Sequence, residues 1–277
     1  MSWVTLADAC GSITSQQYET IGNEYFKRIT KGKEADNKEP VLVILFGIPG
    51  AGKSTIASTF TDIHYPKTDF VNFDFDDIMT GTIIDDEIKD TTDTNGNKTG
   101  IGLAYGWNKC ITDAIDAYGR RVLDKLRQNK YNIVLNTHNM EIMCDFVLDG
   151  YKSTFIYVIV SVETALRRTS KRAIEQGRFN YPANEENAWG WKTIVINKYT
   201  QYMEKAPWYA RWCDSFYIVN NDRDLDDFTQ LEFEEIDTDL TLRELLATAY
   251  NYADDIYGKF SKQTHKKSKT KAKTSSQ

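Results

Sequence analysis

Six apolar residues in succession, Val41 to Phe46, empty into a glycine-rich octet, and beyond it Ile56, Ala57 and Phe60 recur at helical spacing. This pattern predicts a buried strand, a tight loop and an amphipathic helix, in that order. Further apolar runs stand at 70–74, 132–136, 154–160 and 215–219, with helical patterns between them, and read as strands. Strands alternating with helices predict an α/β fold: a doubly wound parallel sheet in three layers, with helices on both faces. Upstream, Ile21, Tyr25, Phe26 and Ile29 share one helical face, which predicts a helix over Ser15 to Thr30, followed by a charged linker to Glu39 and by Pro40.

Three regions follow: an N-terminal helical extension (1–39), one α/β domain (40–258) and a basic, disordered tail (259–277). Inside the domain, Thr82 to Gly102 is polar and threonine-rich, with the turn signal Asp93-Thr94-Asn95-Gly96-Asn97, and reads as a mobile loop. Residues 222–239 hold nine acids against Arg223 and read as a solvated acidic segment. Thr241 and Glu244 fit a capping box that opens a last helix to about Tyr257.

The octet is Gly47-Ile48-Pro49-Gly50-Ala51-Gly52-Lys53-Ser54. Its glycines let backbone N–H groups turn inward with no Cβ in the way, so the stretch from Gly47 through Gly50, Ala51 and Gly52 to Thr55 can cradle phosphates. Lys53 supplies positive charge at the outer phosphates, and Ser54 offers a hydroxyl to Mg²⁺. A strand before the loop and a helix after it are what this chemistry requires. The alternative, a glycine-rich turn that merely happens to end in Lys-Ser, does not account for that context.

Composition narrows the class. The chain of 277 residues is 41% hydrophobic and 13% aromatic, enough for one large α/β core. Its four cysteines are dispersed, and with three histidines there is no zinc set, so a reducing, cytoplasmic setting is expected. The start has no basic segment followed by an apolar core, and no apolar run is long enough to cross a bilayer; no membrane partner is expected. Setting the tail's seven lysines apart from the net charge of −6 leaves −13 on residues 1–258. Such a body disfavours binding duplex nucleic acid over its face, and the tail reads as a solvated end or an arm for nucleic acid.

The second strand ends in Asp74, Asp76 and Asp77. Consecutive strands of a parallel sheet open into one crevice, so Asp74 is expected to face the phosphates and act as a base, with Asp76 near the metal. Helix capping is the plainer role for any one of these carboxylates. A guanine reader with Asn-Lys-x-Asp is not present, since Asn108-Lys109 and Asn197-Lys198 both lack the Asp. Arg168 and Arg172 fall one helical turn apart after the fourth strand, and Arg178 follows Gly177. Such guanidinium groups suit phosphoryl transfer, which needs charge stabilised more than bonds made; a basic surface helix is the alternative.

The loop, Val71-Asn72-Phe73-Asp74, the Asn132–His138 strand and turn, the segment from Leu166 through Arg172 and Arg178 to Pro182, and Asp214 to Asn221 together resemble the zeta-toxin-type P-loop kinases over roughly residues 40–221. The resemblance implies a P-loop NTPase fold and an ATP- or GTP-dependent, Mg²⁺-assisted transfer to a sugar hydroxyl, in known members that of UDP-N-acetylglucosamine. It also implies that Lys53 and Ser54 bind phosphate and metal, that Asp74 is the base, and that Arg168, Arg172 and Arg178 belong to a lid. One departure is Asn136-Thr137-His138-Asn139 where many relatives carry a Glu, which bears on the acceptor; another is Asn197-Lys198-Tyr199 where paired arginines often precede Tyr.

The expectation is therefore a kinase passing the γ-phosphoryl group of ATP to a hydroxyl of a small molecule, with Asn136 and His138 on the acceptor side. Two rivals are a polynucleotide 5′-hydroxyl kinase, which the lysine tail favours, and a regulator that holds ATP without turnover. Whether an antitoxin-like protein partner exists is open at this level.

Overall fold

The computed structural model describes residues 15–79, 112–137, 140–176, 201–202, 204–206, 208–222 and 232–236. Helix α1 spans Ser15–Thr30, β1 Val41–Phe46, α2 Lys53–His64 and β2 Val71–Asp74, which runs into a 3-10 turn, Phe75–Met79. Then come α3 (Thr112–Gln128), β3 (Ile133–Asn136), α4 (Met140–Leu148), β4 (Lys152–Ile159), α5 (Val162–Gln176), β5 (Ser215–Asn220) and β6 (Glu234–Ile236). The six strands form one sheet in the order β2-β3-β1-β4-β5-β6. The first five strands are mutually parallel, and β6 adds to β5 antiparallel.

The register assigns the two faces. Phe73, Leu135, Ile44, Phe155 and Phe216 are partners across five strands, and Asp74, Asn136, Leu45, Ile156 and Tyr217 form the next row. Neighbouring residues of a strand point to opposite faces, so these rows line opposite sides of the sheet. On the first side, Phe155 meets Tyr209 at 5.8 Å and Phe73 meets Tyr25 of α1 at 5.7 Å between ring centroids. On the second, Phe60 of α2 meets Tyr217 at 5.0 Å. Helices therefore cover both faces, as the alternation of elements predicts.

β1, at the centre, is buried along its whole length. Phe46 closes it against Phe155, Tyr157, Tyr202 and Tyr209, with ring centroids 4.5 to 5.7 Å apart. Burial on both faces explains why this strand reads as an unbroken apolar run. Tyr25 of α1 is part of the same core, at 2% exposure.

One reading is corrected. Part of the acidic 222–239 stretch is β6, with Ile236 buried at 7% against β5 and Phe233 packed at 5.2 Å from Phe60. A short edge strand needs few apolar residues, and Glu234 and Glu235 obscure its alternation. The loop at 82–102, the last helix at 241–257 and the lysine tail lie outside the described residues. Among the described residues no helix is long and apolar enough to cross a membrane.

Candidate active site

The loop leaves β1 at the carboxyl end of the central strand and turns into α2 through two left-handed residues, Gly50 (φ +83°) and Gly52 (φ +80°). A side chain at Gly50 would bring its Cβ to 2.5 Å from the Ala165 carbonyl oxygen of α5 and 3.0 Å from Thr169. At Gly52 it would stand 2.5 Å from the Asn221 amide nitrogen and 3.9 Å from the Arg168 guanidinium. Both glycines are thus needed for backbone shape and for close approach. Gly50→Ala is expected to cost about 2–4 kcal/mol, left-handed strain plus the clash with a helix carbonyl. Urea unfolding checks this: a lower midpoint at unchanged slope is expected, and a midpoint within error of the parent would remove the packing argument.

Gly52 caps α2 without a side-chain hydrogen bond, so the first-turn N–H groups of α2 face the loop. The Lys53 ammonium curls back over the loop and donates to the Gly47 carbonyl at 2.9 Å and to that of Ile48 at 3.3 Å. Ser54 and Thr55 are exposed, and Ala51 is fully buried. A glycine loop that its neighbours hold tightly, a lysine folded over it and an adjacent exposed hydroxyl fit a nucleoside polyphosphate. For a metal, the residues supply the Ser54 hydroxyl; among the described residues no cluster of three or more His, Cys, Asp or Glu is found. A hydroxyl beside a phosphate cradle suits Mg²⁺, which takes most of its ligands from phosphates and water.

Asp74 ends β2 on the same sheet face as α2, two strands from β1, and Asn136 of β3 lies between them in register with Leu45. The Asn136 amide donates to the Asp74 carboxylate at 2.7 Å. Tyr25 bonds the Asp74 backbone on the other side. Asp76 in the 3-10 turn is placed by its backbone only.

Arg168 projects from α5 to the loop, where it donates to the Asn221 carbonyl at 2.9 Å. Asn221 follows β5, donates its side-chain amide to the Ala51 carbonyl at 2.7 Å and its backbone N–H to Ile159 at 2.8 Å. One asparagine thus ties the last parallel strand, the loop and the arginine together. Arg172 lies one turn further along α5 and is placed by its backbone. Arg178 and His138 lie outside the described residues. The structure therefore brings together Gly47 to Thr55 with Arg168, and Asp74 with Asn136. Sequence reasoning gave no site role to Tyr25, or to Asn221, met there as the end of the segment Asp214 to Asn221. Asn221 has no local signal, because its partners are 170 and 53 residues away; Tyr25 reads only as one member of an apolar stripe.

Residues 25–96, about a quarter of the chain, match the zeta toxin family model. A solved structure from the PezAT chromosomal toxin–antitoxin system of Streptococcus pneumoniae superposes with a TM-score of 0.57 at 14% identity, over 89% of this chain and 99% of that one. The α/β fold of this chain, a mostly parallel sheet with helices on both faces, is shared with that structure. Two other solved structures are similar at lower scores. The AvrRxo1-ORF1:-ORF2 complex gives a TM-score of 0.45 at 10% identity over 86% of this chain and 78% of that one. Shikimate kinase from Bacteroides thetaiotaomicron gives 0.39 at 18% identity over 77% of this chain and 98% of that one. Among curated proteins, none matches the chain by sequence.

Proposed function

We propose that this zeta-toxin-like chain is a phosphotransferase that moves the γ-phosphoryl group of ATP, or GTP, to a hydroxyl of a small-molecule acceptor, with nucleotide sugars the first class to test. The observation that carries the reading is the joint placement of the phosphate cradle and Arg168 at the end of β1, with the Asp74–Asn136 pair at the same end of the sheet and on the α2 face. A cradle alone would serve a nucleotide holder. A carboxylate two strands away, at the same end and on the same face of the sheet, would offer a proton acceptor.

In the proposed reaction the acceptor oxygen attacks the γ-phosphorus, the bond to the β–γ bridging oxygen breaks, and ADP leaves with that electron pair. The acceptor proton passes to the Asp74 carboxylate, which the Asn136 amide orients. Lys53 and the loop N–H groups hold the phosphates, and Arg168, with Arg172 and Arg178 as further candidates, spreads the charge of the transferring group. Ser54, with Asp76 as a candidate neighbour, would hold Mg²⁺, which would supply positive charge against that of the phosphates. His138 is the further candidate for contact with the acceptor.

The test is incubation of purified protein with Mg²⁺ and γ-labelled ATP or GTP against a panel of nucleotide sugars, nucleosides and 5′-hydroxyl oligonucleotides. Label on a small-molecule acceptor is the expected result. Tight ATP binding with no acceptor labelled would turn the reading toward a nucleotide-holding regulator, and label on oligonucleotides alone toward a polynucleotide kinase.

A further inference from the structure

Among the described residues β2 is an edge strand, with β3 as its neighbour in the sheet order. An edge strand leaves a row of N–H and C=O groups that no other strand pairs. At Asp74 one atom meets both. The Tyr25 hydroxyl donates to the Asp74 carbonyl at 3.0 Å and accepts from the Asp74 N–H at 3.1 Å. A phenol can do this because it is donor and acceptor at once, whereas a carbonyl or an ammonium is only one of the two.

The surroundings hold that phenol in place. Tyr25 is 2% exposed and its ring meets Phe73 edge-on at 5.7 Å. Burial pushes its hydroxyl well above the usual phenol range, so the proton it donates stays on it. One turn further along α1, Arg28 lies over the Tyr25 ring at 5.2 Å and donates to the Asp77 carbonyl at 2.7 Å. From the opposite side the Asn136 amide holds the Asp74 carboxylate at 2.7 Å. Backbone and side chain of Asp74 are thus fixed by two different elements, α1 and β3.

We propose that Tyr25 is a positioning residue for Asp74: its hydroxyl meets both backbone groups of Asp74 as a strand neighbour would, and fixes the backbone from which the carboxylate projects toward the Asn136 amide. The catalytic meaning of that carboxylate rests on the function proposed above; the clamp itself does not. The helix that precedes the phosphate loop is on this view part of the site.

Tyr25→Phe in the full chain removes one oxygen and keeps the ring packed on Phe73. Amide hydrogen exchange at Asp74 is expected to quicken roughly tenfold or more, two hydrogen bonds being lost at one residue. The Asn136 side-chain amide resonances should move toward those of Asp74→Ala, while ATP affinity by calorimetry stays put. Unchanged exchange at Asp74, or Asn136 signals that do not move, would overturn the proposal. Arg28→Gln is the second variant: it loosens α1 at Asp77 but spares the hydroxyl, and should alter exchange at Asp74 by less than about twofold. An equal rise in both variants would mean general loosening of α1 and would also overturn it. None of these readouts uses turnover, so a failed labelling assay sinks the kinase reading without deciding the clamp.

Discussion

Asp74→Asn is expected to lower phosphoryl transfer by about 10²–10⁴-fold, the usual worth of a positioned proton acceptor, while changing ATP affinity by no more than two- to threefold. The substitution is nearly isosteric. Asp74 is half-buried at the end of β2, and its carboxylate accepts from the Asn136 amide. An amide oxygen at the same place can still accept from Asn136, but it cannot take the acceptor's proton. The backbone bonds to Tyr25 do not involve the side chain and remain. The expected loss is therefore chemical and not architectural. Initial rates of label transfer, with calorimetric ATP titration of the same preparations, separate the two. A variant retaining more than a quarter of the parent rate would remove Asp74 from the base role.

The sequence announces the phosphate loop because all its determinants are local. Six apolar residues need burial on both faces, two left-handed turns need glycine, and lysine and serine follow at fixed offsets. The α1 helix is equally legible: its apolar face at Ile21, Tyr25, Phe26 and Ile29 recurs at the helical period, and the observed span is the expected one, Ser15–Thr30. The strand expectations agree with the structure to within two residues at each end, for example 154–160 against Lys152–Ile159. β6 is the exception, since three residues with two glutamates cannot be told from a solvated run.

What stayed hidden depends on contacts between distant parts of the chain. The adjacency of Asp74 and Asn136 is a matter of sheet order, 62 residues apart in sequence. Helical spacing places Arg168 and Arg172 on one helix, yet only the packing of Ala165 and Thr169 on Gly50 brings that helix against the loop. The two hydrogen bonds of the Tyr25 hydroxyl to Asp74, 49 residues away, form because β2 stands at the edge of the described strands, and strand order is not written in any local pattern.

Lys53→Ala is expected to weaken ATP binding by about 100-fold or more. In the structure the ammonium is bonded to the carbonyls of Gly47 and Ile48 and so lies over the cradle, where a β- or γ-phosphate would sit within reach of the same three donors. Exchanging carbonyl partners for phosphate oxygens sets an anion opposite the ammonium, so that the bonds are charged at both ends; at about 1.5–3 kcal/mol each, one to two of them account for a 100-fold change. Folding should suffer far less, because at a half-buried position water can replace the bonds to the two loop carbonyls, at about 1 kcal/mol. Lys53→Arg tests geometry against charge. The guanidinium keeps the charge, but its planar fork cannot fold over two successive carbonyls and a phosphate as an ammonium does, so it too should bind ATP poorly. Isothermal titration with Mg²⁺ present reads both variants. An alanine variant that binds ATP as the parent does would remove the loop from nucleotide binding, and the kinase reading would fall with it; full recovery in the arginine variant would mean that charge alone, not the cradle's shape, sets the affinity.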